Sequence, residues 1–194
     1  MASTKKIDHL SDEQLMARMI ENGDHSCLTV LYNRYAQRLL GFFLKMFKGD
    51  VPKSQDFLQE LFIKVFEKRQ QFDTSKKFYT WVFTIASNMC KTEFRKTPTE
   101  NIDDHPEVNQ KATYDIDETD RKYLKKRLKN EIQSLTDDHR SAFILRYIEG
   151  FSIQEIADIT EANVGTVKSR LFYATKKLAH QLKDYQKNNT NYYG

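Results

Sequence analysis

The chain reads as an all-α protein of two small helical domains joined by a flexible acidic linker. Three observations lead there. Helix formers dominate and breakers are few, with six glycines and three prolines in 194 residues. Apolar residues recur at helical spacing in two blocks, residues 10–96 and 121–187. Between them, residues 97–120 hold Pro98, Pro106 and eight acidic side chains against one basic one, Lys111. A stretch of low hydrophobicity and one-signed charge does not bury enough surface to offset the entropy of ordering, so 97–120 is read as a mobile linker.

The first block is expected to form four helices. Ser11-Asp12-Glu13-Gln14 is a capping box, followed by an apolar stripe of Leu15, Met16, Met19 and Ile20 that ends near Gly23. A second helix from about Ser26 sets Val30, Leu31, Tyr35, Leu39, Phe42, Phe43 and Met46 along one side, and Gly49 and Pro52 are expected to end it. The third, about Ser54 to Gln71, repeats the pairs Phe57/Leu58, Leu61/Phe62 and Val65/Phe66, leaving Asp56, Gln59, Glu60, Lys64 and Glu67 outside. The fourth, about Lys77 to Lys96, buries Phe78, Trp81, Val82, Ile85, Ala86 and Met89. Thr84, Asn88, Lys91 and Arg95 then fall at i, i+4, i+7 and i+11, one polar face that ends in positive charge.

The second block repeats the logic on a smaller scale. A helix from about Arg121 carries Leu124, Leu128 and Ile132. Another from Thr136 is expected to bury Ala142, Phe143, Leu145 and Ile148 and to stop at Gly150. Ser152-Ile153-Gln154-Glu155 is a second capping box, opening a short helix through Ile156, Ala157 and Ile159. After a turn at Glu161–Asn163, with Asn163 as N-cap, a long final helix runs toward a polar tail after Lys187. This pair has the pattern of a helix-turn-helix. Ala157 is small where the helices cross, and Ile156, Ile159, Val164, Val167 and Leu171 share a core. Thr166, Lys168, Ser169 and Arg170 face outward, where a major groove would lie. Glu161 stands where such turns commonly carry Gly: either the turn differs slightly, or Glu161 tolerates a strained dihedral at modest cost.

Charge supports a polyanion partner. The net of +4 divides into +5 over residues 1–96 (16 basic, 11 acidic), −7 over the linker, and +6 over residues 121–194 (14 basic, 8 acidic). Other classes fit poorly. The apolar run Leu39–Phe47 is short and broken by Lys45, and the first six residues lack a signal core, so a cytoplasmic protein is expected. Cys27 and Cys90 have no partner at ligand spacing; they read as reduced core thiols, and no metal or other cofactor is expected. No activated nucleophile or carboxylate cluster suggests an enzyme, because the acidic residues gather in a linker that does not preorganise a site.

These motifs, in this order, resemble the extracytoplasmic-function (ECF) sigma factors of the sigma-70 family over about residues 10–186. Asp56-Phe57-Leu58-Gln59-Glu60-Leu61-Phe62-Ile63-Lys64-Val65-Phe66 is similar to the region 2 helix that docks on the β′ clamp of RNA polymerase. Phe78-x-x-Trp81-Val82-x-x-Ile85-Ala86-x-Asn88 is similar to the helix that recognises and opens the −10 element. Gly150 to Lys177 matches the region 4 helix-turn-helix for the −35 element. The resemblance implies a non-enzymatic initiation subunit with region 2 at 10–96 and region 4 at 121–187. It implies core polymerase (the β′ clamp and β) and promoter DNA as partners, with no homo-oligomer required, and an anti-sigma factor, often membrane-anchored. It assigns Asp56, Gln59 and Glu60 to polymerase docking. Lys76, Lys77, Tyr79, Thr84, Asn88, Lys91 and Arg95 are assigned to the −10 strand. Thr166, Lys168, Ser169, Arg170, Tyr173, Lys176 and Lys177 are assigned to the −35 duplex. The acidic linker fits either a mimic of nucleic acid in the RNA exit channel or a solubilising spacer.

Overall fold

The computed structural model describes residues 7–96 and 118–190, with side chains of 118–123 and 184–190 left outside that description. The expected acidic linker up to residue 117, and the last four residues of the polar tail, also lie outside it. Eight α-helices and one 3-10 turn, Arg69–Gln71, make up the regular structure of the described residues.

Helices α1 (Asp12–Asn22), α2 (His25–Met46), α3 (Val51–Glu67) and α4 (Phe78–Lys96) form the N-terminal module. Their boundaries follow local chemistry. Ser11 Oγ accepts from the Gln14 N–H at 3.2 Å while Gln14 Oε1 accepts from the Ser11 N–H at 2.8 Å, so the expected capping box is formed. Gly23 closes α1 in the left-handed region at φ 65°, and Asp24 then caps α2 through the Ser26 N–H. One expectation is corrected here. Pro52 does not end α2; it sits in the first turn of α3, where a missing N–H costs nothing, and Asp50 caps that helix through the Lys53 N–H at 3.0 Å. The turn before it is made by Lys48 and Gly49, both at positive φ.

Helices α5 (Glu118–Gln133), α6 (Asp137–Tyr147), α7 (Ile153–Thr160) and α8 (Val164–Thr190) form the C-terminal module. Helix α5 starts at Glu118, so the last three residues read as linker are helical. The second capping box forms, with Ser152 and Glu155 exchanging bonds of 2.9 and 3.1 Å. Asn163 Oδ1 caps α8 by accepting from the Thr166 N–H at 2.7 Å. In α6 the apolar reading is revised: Ile148 is exposed and Phe143 only half-buried, while Ile144 and Arg140 are fully buried. Arg140 reaches back to the end of α5, donating to the carbonyls of Leu135 at 3.0 Å and Gln133 at 3.4 Å and pairing with Asp137. It thereby satisfies acceptors that the helix end leaves open.

The two modules pack on each other. Helix α4 lies against α7, and α2 against α5 and α6, so one apolar cluster extends from Ile7 to Leu178. Phe83, which the helical stripe left unplaced, is fully buried because it meets rings from both modules, Phe42 at 5.4 Å and Phe151 at 5.2 Å. Cys27 and Cys90 are buried free thiols, and burial pushes both above the ordinary thiol range. Among the described residues no helix is long and apolar enough to cross a membrane, and no group of three or more His, Cys, Asp or Glu is placed to hold a metal.

Candidate polymerase and nucleic-acid interfaces

The first candidate surface lies on α3. Leu58, Leu61, Phe62 and Val65 anchor the helix in the core, which turns Asp56, Gln59 and Glu60 to solvent as expected. Glu60 pairs with Lys64 one turn on, at 3.1 Å. Sequence reasoning missed Ile63, which is 57% exposed on the same stripe. Its spacing from Asp56, Gln59 and Glu60 was the available signal.

The second surface is built around α4. At its start the carboxylate of Glu13, on α1, accepts from the Phe78 N–H at 3.1 Å. The preceding loop is folded by Asp73, which accepts from the Ser75 N–H at 3.0 Å and leaves Lys76 and Lys77 exposed. Thr84, Asn88, Lys91 and Arg95 run along a crest between two grooves. One, of about 480 Å³, lies between α3 and α4 and is lined by Trp81, Thr84, Asn88, Glu60 and Lys64 among others. The other, of about 430 Å³, lies between α4 and the C-terminal module, where Lys91, Arg95 and Arg170 face Asp137 and Asp138. Trp81 is half-buried against Phe72, ring centroids 5.1 Å apart, with an edge on the first groove.

Three of the residues expected at the −10 strand are engaged instead by the C-terminal module. The Tyr79 ring stacks on Phe151 at 4.6 Å and 16°, and its hydroxyl is 3.2 Å from Glu149 Oε2. Burial first, and the Glu149 charge second, push the Tyr79 phenol well above its ordinary range. Asn88 Nδ2 donates to Glu161 at 2.9 Å, and Lys77 lies 3.5 Å from Glu155.

The third surface is α8 with the turn before it. Glu161 takes the left-handed conformation, φ 53° and ψ 42°, so the turn keeps the shape that Gly commonly supplies and Glu tolerates it. Ala157, Val167 and Leu171 are buried beneath, while Val164 is half-buried. Lys168 and Ser169 are exposed. Thr166 spends its hydroxyl on Asn163 at 2.9 Å, and Arg170 pairs with Asp138 of α6. Tyr173 is exposed and stacks on His139 at 6.1 Å, while Lys177 Nζ donates to the Ser134 carbonyl at 2.8 Å. Lys176 lies over the ring of Phe172, an exposed aromatic that the pattern did not single out.

Comparison with known proteins bears on both modules. Residues 31–98 match the family model "Sigma-70 region 2" and residues 125–178 match "Sigma-70, region 4". The chain is 30% identical over 187 residues to the ECF RNA polymerase sigma-E factor of Haemophilus influenzae, covering 90% of this chain and 97% of that protein. It is 32% identical to the RNA polymerase sigma-H factor of Pseudomonas aeruginosa, covering 86% and 91%. The chain belongs to the ECF sigma factors of the sigma-70 family.

As a sigma factor it is a non-enzymatic subunit that acts in promoter-directed transcription initiation with RNA polymerase. Solved structures agree on the helical fold. CnrH in complex with the cytosolic domain of CnrY superposes with a TM-score of 0.65 at 20% identity, covering 89% of this sigma factor and 97% of CnrH. The sigma factor RpoE, in complex with the anti-sigma factor NepR from Bartonella quintana, gives 0.57 at 25% identity, covering 76% and 91%.

Proposed function

We propose that this sigma factor brings core polymerase to its promoters through three separate surfaces. Asp56, Gln59 and Glu60 on α3 dock on the β′ clamp, with Ile63 as an apolar anchor. The loop carrying Lys76 and Lys77, together with Tyr79, Thr84 and Asn88, captures unstacked bases of the −10 element, and Lys91 and Arg95 hold its phosphates. The N-terminal part of α8 enters the −35 major groove with Thr166, Lys168, Ser169 and Arg170, while Tyr173, Lys176 and Lys177 track the backbone.

Residues 10–96 and 121–187 act as the two working units, with 97–120 between them. The reading is carried by one observation: a docking stripe, a hydroxyl- and amide-bearing crest and a basic recognition helix occur in the same chain order as the two matched family regions. The relatives captured with CnrY and with NepR support an anti-sigma factor as a further partner, and the need to reach polymerase supports a cytoplasmic site of action. Run-off transcription with purified core polymerase tests the reading. Specific transcripts are expected only when this protein is added, and equal transcripts without it would sink the proposal.

A further inference from the structure

We infer that the cleft where α4 faces the start of α6 is a binding site for a free nucleoside diphosphate. This goes beyond the polymerase and promoter contacts, none of which calls for a small molecule.

The cleft measures about 430 Å³, room for one nucleotide. Ser87, Lys91 and Arg95 line it from α4, and Thr136, Asp138 and Ser141 from the first turns of α6. The three α4 residues follow at i, i+4 and i+8, so a hydroxyl and two cations stand in one row. Two serines point to an occupant. Ser87 is 8% exposed and Ser141 9%, one on each side of the cleft, and among the described residues neither hydroxyl has a hydrogen-bond partner. Hydroxyls this buried are normally bonded, so a molecule in the cleft is needed to supply what the protein does not.

Charge sets the sign of that molecule. Asp138 is held by Arg170 and Asp137 by Arg140, so both carboxylates on the cleft are already matched. Lys91 and Arg95 are exposed and enter no ion pair among the described residues, which leaves the net charge of the site positive. One helical turn apart, about 5–6 Å between Cβ atoms, they suit two linked phosphates. The start of α6 adds to the attraction, because its N-cap Thr136 makes no side-chain cap bond and leaves first-turn N–H groups for an anion.

The rest of the lining selects an aromatic group. Met46, Cys90 and Phe94 give the cleft an apolar surface on which a base can rest. A plain phosphate would leave that surface uncovered, and an uncharged nucleoside would leave the two cations unmatched. A nucleoside diphosphate uses both.

Equilibrium dialysis of the full chain against GDP and ADP tests the site, with inorganic pyrophosphate and guanosine as competitors. At least one diphosphate is expected to bind one-to-one with a dissociation constant of about 10–100 µM, roughly tenfold tighter than either competitor. The double variant Ser87→Ala, Ser141→Ala keeps every charge and should weaken binding about fivefold or more. Lys91→Ala with Arg95→Ala should weaken it about tenfold or more. Lys126→Ala with Lys129→Ala removes the same charge from the exposed side of α5 and should bind as the starting protein does. Circular dichroism checks that each variant is folded. If neither diphosphate binds at about 1 mM, the cleft holds only water and the proposal falls. Pyrophosphate binding as tightly as the diphosphates would reduce the site to general anion attraction and overturn it. A folded serine double variant with unchanged affinity would overturn it too, since the nucleotide would then sit elsewhere.

Discussion

The Glu13 carboxylate stands 3.1 Å from the Phe78 N–H, so the first helix of the protein caps the helix that carries the proposed −10 face. Burial pulls the Glu13 carboxyl upward, but the bonds from the Phe78 N–H, its own N–H and Ser11 outweigh it and hold the group below its ordinary 4.5. A lowered folded value means that this stabilisation is fully present above pH 4.5 and is lost as pH falls through the lower value. Glu13→Ala is expected to cost about 1 kcal/mol at pH 7, as for other lost N-caps. Glu13→Gln keeps an acceptor and should flatten the acid dependence. Urea melts at pH 7 and pH 4 check both, and an alanine variant as stable as the starting protein would remove Glu13 from this role.

Arg140 is expected to be the costliest single charge to delete. It is 1% exposed, pairs with Asp137, serves two carbonyls at the α5–α6 turn and lies 5.7 Å over the Phe94 ring of the other module. Removing it strands buried acceptors and leaves a cavity, so Arg140→Ala should lose about 3 kcal/mol. Lysine does not reproduce the fork, and Arg140→Lys should recover less than half of that loss. Denaturant titration measures both.

Glu161→Gly is expected to raise stability by about 0.5–1 kcal/mol. The residue sits at φ 53°, where a Cβ is strained, and the bond it gives up to Asn88 is exposed. Thermal melting of the full chain decides the sign. A loss of 1 kcal/mol or more would mean that the Asn88 bond outweighs the strain.

Arg170 must exchange Asp138 for DNA if it reads the −35 element. Arg170→Ala should weaken binding of the holoenzyme to a matched promoter by about 1–3 kcal/mol and leave core binding intact. Asp138→Asn removes the charge from a side chain that is 63% exposed and should change stability by less than about 0.5 kcal/mol while strengthening promoter binding. Loss of core binding in either variant would contradict the division of labour between the modules.

Much of this architecture was legible because local signals and periodicity agreed. Both capping boxes, the Asn163 cap and the buried stripes of α1, α2 and α3 follow from residue type and spacing. Where the pattern fell short, a partner it did not weigh decided the outcome, a local cap in one case and long-range neighbours in the others. Pro52 reads as a terminator until Asp50 is seen to cap the helix around it. Phe83 has no place on the stripe until Phe151 arrives from the other module, and Arg140, which the apolar pattern passes over, is buried where the α5 carbonyls turn toward it. Among the proposed site residues, those on α3 and Lys168 and Ser169 of α8 stand exposed as expected. Tyr79, Asn88, Lys77 and Arg170 are held by Glu149, Glu161, Glu155 and Asp138, and no spacing rule anticipates such pairings.

Ile63 gives the sharpest test of the polymerase-docking stripe. An isoleucine 57% exposed on a helix anchored in the core by Leu58, Leu61, Phe62 and Val65 adds little to folding, so Ile63→Ala should change stability by less than about 0.5 kcal/mol. At the centre of an interface, the same side chain acts as an anchor ringed by polar groups, here Gln59, Glu60 and Lys64. Truncating it should weaken binding to core polymerase by about 1–2 kcal/mol, roughly a fivefold to thirtyfold effect. Reversing the charges with Asp56→Lys and Glu60→Lys should also slow association and change its salt dependence. Fluorescence titration of labelled sigma factor with core polymerase reads all three. If Ile63→Ala binds core as tightly as the starting protein while the lysine variants fail, docking is electrostatic and Ile63 lies outside it. If none of them matters, the clamp meets another face.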